Sequence, residues 1–223
     1  APGLEAAGVP LLDDPLGSID EAEDRARFAQ LLDDLGLLAP AWRAASTADE
    51  ARAAAAELGY PVVVRPHNVI GGRGIHIARN VAELSVDRPC LIDRFLANAI
   101  ELDVDVLSDG KDAWVAAILE HVERAGSHSG DSAVVVPAPS VSAKHVDAIR
   151  EAASGIARAL NARGLLNLQL ALSGDDLYVL EANPRASRTV PFVAKATGVP
   201  LVEHACRLLL GETLGSLQLE DVT

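Results

Sequence analysis

The chain has 223 residues, enough to bury a sizeable core as one large domain or two small ones, and it carries 32 Asp and Glu against 19 Lys and Arg for a formal net charge of −13. That balance argues against a nucleic-acid grip, which needs clustered cations, and it leaves local cations to act mostly as Arg, because the only lysines are Lys111, Lys144 and Lys195. Apolar runs such as Ala133–Val136 and Ala205–Leu210 fall far short of the roughly 20 residues a membrane-crossing helix needs, and no charged-then-apolar leader opens the sequence, so the expected setting is cytoplasmic with no membrane partner.

Residues 1–10 read as the end of a helix leading into the apolar run Val9-Pro10-Leu11-Leu12. Ser18 followed by Glu21 has the form of a capping box, and Phe28, Leu31, Leu32 and Leu35 continue at helical spacing to Gly36, which predicts one helix over this stretch. A short strand is expected near Ala39–Ala44, then an Ala-rich helix over Ser46–Leu58, opened by Ser46 or Thr47 and closed by Gly59. The β-branched run Tyr60–Pro66 predicts a strand, Gly71-Gly72-Arg73-Gly74 a turn, Ile75–Ala78 the returning strand, and Asn80–Leu84 a further helix start.

Cys90–Phe95, Ile100–Ser108 and Ala113–Val122 read as three more strands, the last two joined by a hairpin at Asp109-Gly110. Strict alternation over Ile100–Val106 gives one apolar face and one face carrying Glu101, Asp103 and Asp105. Ser142–Leu160 predicts an amphipathic helix, Leu165–Leu172 and Asp176–Glu181 a hairpin, and Val202–Leu210 a closing helix. Cys90 and Cys206 have neither disulfide-framework nor metal-ligand spacing and read as small core residues. Met is absent, position 1 included, which suggests an excised, processed or redesigned segment.

The densest chemistry lies in residues 181–192. Glu181 and Asn183, two apart at a strand end, project to the same side, and Gln169 on the preceding strand faces them, so three oxygen donors converge. Such a set suits Mg²⁺, which binds through few carboxylates together with substrate phosphates, and Arg185 and Arg188 stand next in the chain to meet the remaining phosphate charge. The plainer alternative is an acid at a strand end with two solvated arginines. Gly71–Gly74 permits close backbone approach to phosphate, or serves only as a flexible turn; it lacks both the Walker A and the Gly-x-Gly-x-x-Gly pattern. Ser127, His128 and Asp131 stand too close together for a catalytic relay, and no nucleophile elbow is present, so a nucleotide-contacting loop is the better reading.

The segments Tyr60–Pro66, Gly71–Gly74, Glu120–Ser132 and Glu181–Pro200 closely resemble the large subunit of carbamoyl phosphate synthetase, over about residues 5 to 215. The resemblance implies an α+β ATP-grasp fold, two α/β lobes with the nucleotide site between them: 1–36 a remnant of a preceding domain plus a linking helix, 37–95 the smaller lobe, 96–223 the larger. Of that family's two related units, the wording Glu120–Ser132 and Ser187–Phe192 looks like the second, which phosphorylates carbamate, with bicarbonate the acceptor of the first. A core that binds Mg-ATP but does not turn over alone is the alternative, and a biotin carboxylase relative a weaker one.

Carried over by resemblance, Arg25 and Arg65 match phosphate-contacting arginines, Gly71 and Gly72 the loop over the nucleotide, and Arg94 and Leu96 the adenine-side hinge. Glu101 matches the ribose-bonding acid, and Gly126, Ser127, His128 and Ser129 the nucleotide-side loop. Gln169, Glu181 and Asn183 match ligands of Mg²⁺ or Mn²⁺, with Arg185 and Arg188 at the phosphate end; Asn183, Arg185 and Arg188 are the candidate catalytic residues. Arg94 in place of His, Ser127 in place of a small apolar residue, His67-Asn68 in place of Ser-Tyr and Asp13-Asp14-Pro15 in place of Gly-Thr-Ser depart from the pattern. The whole enzyme implies a glutaminase small subunit and further large-subunit domains as partners.

Overall fold

The computed structural model describes residues 16–66, 74–123 and 132–220. The expectations for residues 1–12, for Gly71 and Gly72, and for Gly126–Ser129 lie outside them.

Two helices, α1 (Leu16–Glu23) and α2 (Arg25–Asp34), replace the single helix expected from Ser18 to Gly36. Asp24 takes an extended conformation between them, and its side chain accepts from the amides of Ala26 and Arg27 at 2.9 and 3.0 Å. That carboxylate satisfies two of the orphan donors of a new helix start, so Asp24, not Ser18, is the residue that caps. Ser18 lies inside α1 and is buried.

The smaller sheet contains β1 (Trp42–Ala45), β2 (Val62–Pro66), β3 (His76–Ala78) and β4 (Cys90–Arg94) in the order β1-β4-β2-β3, every neighbour antiparallel. Helix α3 (Ala48–Leu58) lies across it, capped by Thr47, whose hydroxyl accepts from the Glu50 amide, while the Glu50 carboxylate accepts from the Ser46 amide. Its inward face is Ala51, Ala54 and Ala55, and their small side chains let the helix pack close onto Val62, Val64 and Ile92. Gly59 ends α3 at φ +81°, where a side chain would be strained. Asn80 does not open a helix. Its side chain accepts from the Ala82 and Glu83 amides and closes one turn only, which stops short of Pro89.

The larger sheet contains β5 (Ile100–Asp109), β6 (Ala113–His121), β7 (Val134–Val135), β8 (Arg163–Ser173) and β9 (Asp176–Asn183) in the order β7-β6-β5-β8-β9, again antiparallel throughout. One face, with Leu102, Val104 and Leu168, packs on Phe28, Leu31 and Leu32 of α2 and on Ile149 and Ile156 of α4 (Ala143–Ala159), which Ser142 caps. Side chains such as Phe28 and Leu32, at most 1% exposed, each contribute about 2 kcal/mol by burial. The other face is covered at one end by α5 (Val190–Thr197) and α6 (Leu201–Leu209), through Leu107, Leu119, Val193 and Leu201. Helix α5 was not anticipated from the sequence. Cys90 is a core residue as expected, whereas Cys206 is exposed, because it stands on the outer side of α6 while Ala205 and Leu208 face the sheet. No helix among the described residues is long and apolar enough to cross a membrane.

Candidate functional site

The end of the large sheet that α5 and α6 leave uncovered is polar. Strand register sets Gln169 directly opposite Glu181 and Asn167 opposite Asn183, with Leu168 and Ala182 turned to the other face. Glu181 and Asn183 therefore share one side, with Gln169 across from them, as the sequence pattern requires. The register slips just beyond this pair: Leu170 faces Val179, so Leu180 is an extra residue on β9. Its carbonyl, turned out of the ladder, accepts from Arg25 Nη1 at 3.0 Å.

Asn183 also organises the segment after it. Its carbonyl accepts from the Arg185 amide at 2.8 Å and its Oδ1 from Arg185 Nη2 at 3.1 Å. Arg185 and Arg188 are exposed. Among the described residues no group of three or more His, Cys, Asp or Glu is placed to hold a metal. One carboxylate with two amide oxygens is a hard, incomplete donor set, and it fits a Mg²⁺ ion that shares its coordination with phosphate oxygens.

Arg25 and Arg65 converge on Asp93, near the end of β4 in the interior of the small sheet. Arg25 Nη2 lies 2.9 Å from Asp93 Oδ1 as a hydrogen-bonded ion pair, and Arg65 Nε lies 2.9 Å from Oδ2. The second approach is an ion pair by distance only, since neither Arg65 Nε nor Asp93 Oδ2 makes an aligned hydrogen bond. Burial pulls the Arg25 guanidinium below its ordinary value, and the Asp93 carboxylate opposes that shift. Arg25 thus ties the small sheet, through Asp93, to the large sheet, through Leu180. Arg94 is exposed at the end of β4, its amide donating to the Ala41 carbonyl at 2.8 Å, and Leu96 is half-buried in the link to β5.

The acidic face of β5 is not a solvated one. Asp103 and Asp105 are 6% and 1% exposed. His121 on β6 stands 2.9 Å from Asp103 Oδ2 and 3.7 Å from Glu101 Oε2, and its hydrogen bond to Asp103 raises its pKa above the ordinary value despite burial. Asp105 is met by Asn167 Nδ2 at 3.0 Å, Ser187 Oγ at 2.7 Å and Thr189 Oγ1 at 2.5 Å, and burial pushes its carboxyl up. Sequence reasoning missed Asp93, Asp103, Asp105 and His121 as site residues. The alternation through Ile100–Val106 already placed Asp103 and Asp105 beside Glu101; only their burial was unreadable.

Residues 24–217 match the family model described as carbamoyl-phosphate synthase L chain, ATP binding domain. The chain belongs to that family. It is 50% identical over 229 residues to the carbamoyl phosphate synthase large chain of Kineococcus radiotolerans, with 98% of this chain and 21% of that protein covered. It is 49% identical to the corresponding large chain of Corynebacterium glutamicum, with the same shares covered. The chain thus spans about a fifth of the length of these relatives. Among solved structures, it is similar to the biotin carboxylase domain of Hydrogenobacter thermophilus 2-oxoglutarate carboxylase, in complex with MgADP, ADP and bicarbonate. The TM-score there is 0.82 at 21% identity, covering 96% of this chain and 51% of that one. Campylobacter jejuni biotin carboxylase, in complex with β,γ-ATP, gives a TM-score of 0.82 at 17% identity, covering 95% and 51%. At these identities the likeness is one of fold, and that fold is the α+β ATP-grasp architecture expected from the sequence.

Proposed function

We propose that this ATP-binding domain holds Mg-ATP between a smaller lobe, 37–95, and a larger lobe, 96–223, joined through the helical segment within 1–36, and phosphorylates carbamate to carbamoyl phosphate. The observation that carries the reading is the register of Gln169 against Glu181, with Asn183 on the same face and Arg185 and Arg188 directly after it.

In this reading Gln169, Glu181 and Asn183 hold Mg²⁺, or Mn²⁺ in its place. Arg25 and Arg65 hold phosphate oxygens from the side of the small sheet. Arg94 and Leu96 border the adenine, Glu101 accepts from the ribose, and Gly71, Gly72, Gly126, Ser127, His128 and Ser129 belong to the loops beside the nucleotide. When bound, the metal neutralises phosphate charge. A carbamate oxygen attacks the γ-phosphorus, the bond to the β,γ-bridging oxygen breaks, and ADP leaves, with Arg185 and Arg188 positioned to offset charge on the transferring group. The segments Glu120–Ser132 and Ser187–Phe192 favour carbamate over bicarbonate as acceptor. In the whole enzyme the domain works with a glutaminase small subunit and the other large-subunit domains, in the cytoplasm.

The test is ADP formation by the 223-residue chain with ATP and Mg²⁺ in the presence of carbamate or bicarbonate. Carbamate-dependent turnover is expected. Bicarbonate-dependent turnover would reassign the domain to the other unit, and ATP binding with neither would leave a nucleotide-binding core that needs its partner domains.

A further inference from the structure

Asp105 gathers three uncharged donors, two of them from the loop that leads into α5. Three short oxygen–oxygen contacts close a ring: Asp105 Oδ1 to Ser187 Oγ at 2.7 Å, Ser187 Oγ to Thr189 Oγ1 at 2.6 Å, and Thr189 Oγ1 to Asp105 Oδ2 at 2.5 Å. Ser187 Oγ donates to Oδ1 and Thr189 Oγ1 donates to Oδ2, so both hydroxyls are held by the one carboxyl group. Asn167 Nδ2 donates to Oδ1 as well. All three side chains that bond Asp105 are uncharged, and the nearest charged group on its own strand is Asp103, which disfavours a second negative charge.

The ring has a structural output. Ser187 Oγ also accepts from the amides of Thr189 and Val190, at 3.2 and 3.3 Å, so it serves the start of α5, whose formal cap residue Thr189 makes no side-chain cap bond of its own. Arg188 lies between the two residues that the ring fixes. The first half of the same loop is tied down independently, by the Arg185 bonds to Asn183.

We propose that Asp105 is a positioning residue for phosphoryl transfer, a buried carboxyl that locks Ser187 and Thr189 and thereby fixes Arg188 over the phosphate end of the site. This deepens the proposed carbamate phosphorylation and rests on it for the role of Arg188.

Asp105→Asn preserves the ring, because its Nδ2 donates to Thr189 and its Oδ1 accepts from Ser187, whereas Asp105→Ala and Ser187→Ala open it. By amide hydrogen exchange, Thr189 and Val190 should exchange about tenfold faster in both Ala variants while the β8 and β9 amides keep their protection, and the Asn variant should match wild type. Turnover with carbamate should show kcat lowered about tenfold in the Ala variants, KM for ATP unchanged, and kcat restored in the Asn variant. An Asn variant as fast-exchanging as the Ala variants would overturn a lock made by hydrogen bonds at this side chain, and wild-type exchange in both Ala variants would overturn the lock altogether. Should Asp105→Ala not fold, Ser187→Ala and Asp105→Asn decide the matter. A wild-type chain that forms no ADP would count against the function and with it the catalytic part of the role, while the exchange rates still decide whether Asp105 makes the lock.

Discussion

Arg25 on α2 and Asp93 on β4 are joined across 68 residues of sequence by a hydrogen-bonded ion pair of 2.9 Å, with the Asp93 side chain 2% exposed. A carboxylate so buried is tolerated because two guanidinium groups approach it, Arg65 being the second. Removing it leaves both arginines, one of them largely buried, without the carboxylate they share. Asp93→Ala is therefore expected to lower unfolding stability by about 3 kcal/mol in urea titrations, and an unchanged midpoint would show that the pair contributes no stability.

Arg65 is the more exposed of the two arginines, and among the described residues it approaches Asp93 through Nε. Arg65→Ala should weaken ATP about tenfold, the loss of one charge-assisted contact, and leave adenosine nearly unaffected. Equal losses for the two ligands, measured by calorimetry, would argue that Arg65 does not touch phosphate.

His121 provides a pH dependence with a defined sign. Its pKa is raised in the folded chain by Asp103, so the folded state holds the imidazole proton more tightly than the unfolded chain does. That stabilisation is fully present below about pH 6.5, the ordinary value, and is lost as pH rises through the raised folded value. Urea midpoints should fall over this interval in the wild-type chain, and His121→Gln should flatten the fall. A variant with the same slope as wild type would show that another group is responsible.

Features that depend on near neighbours were legible in the sequence. The β8–β9 hairpin was readable because two apolar runs flank Ser173-Gly174-Asp175, and its register came out closely enough to bring Gln169 opposite Glu181. The burial of Asp105 was not legible. Its partners lie 62, 82 and 84 residues away on β8 and in the loop before α5, and nothing local separates such an acid from a solvated one. The break between α1 and α2 was missed because a capping box at Ser18 and a lone Asp24 compete for one helix start, and only the bonds to Ala26 and Arg27 decide it. Helix α5 did leave readable punctuation. Pro191 stands in its first turn and Gly198 closes it in the left-handed region, a pattern that overlaps the phosphate chemistry of residues 181–192 and was hidden by it.

Glu181 is the single carboxylate in the proposed metal set, so charge neutralisation at the phosphate end depends on it more than on either amide. The most direct measurement is calorimetric titration of ATP into the wild-type chain and into Glu181→Ala, each with and without Mg²⁺. Mg²⁺ should tighten ATP binding to the wild-type chain, and the substitution should abolish that gain while leaving the fold intact by circular dichroism. Identical Mg-ATP affinity in the two proteins would contradict the placement of the metal at Gln169, Glu181 and Asn183.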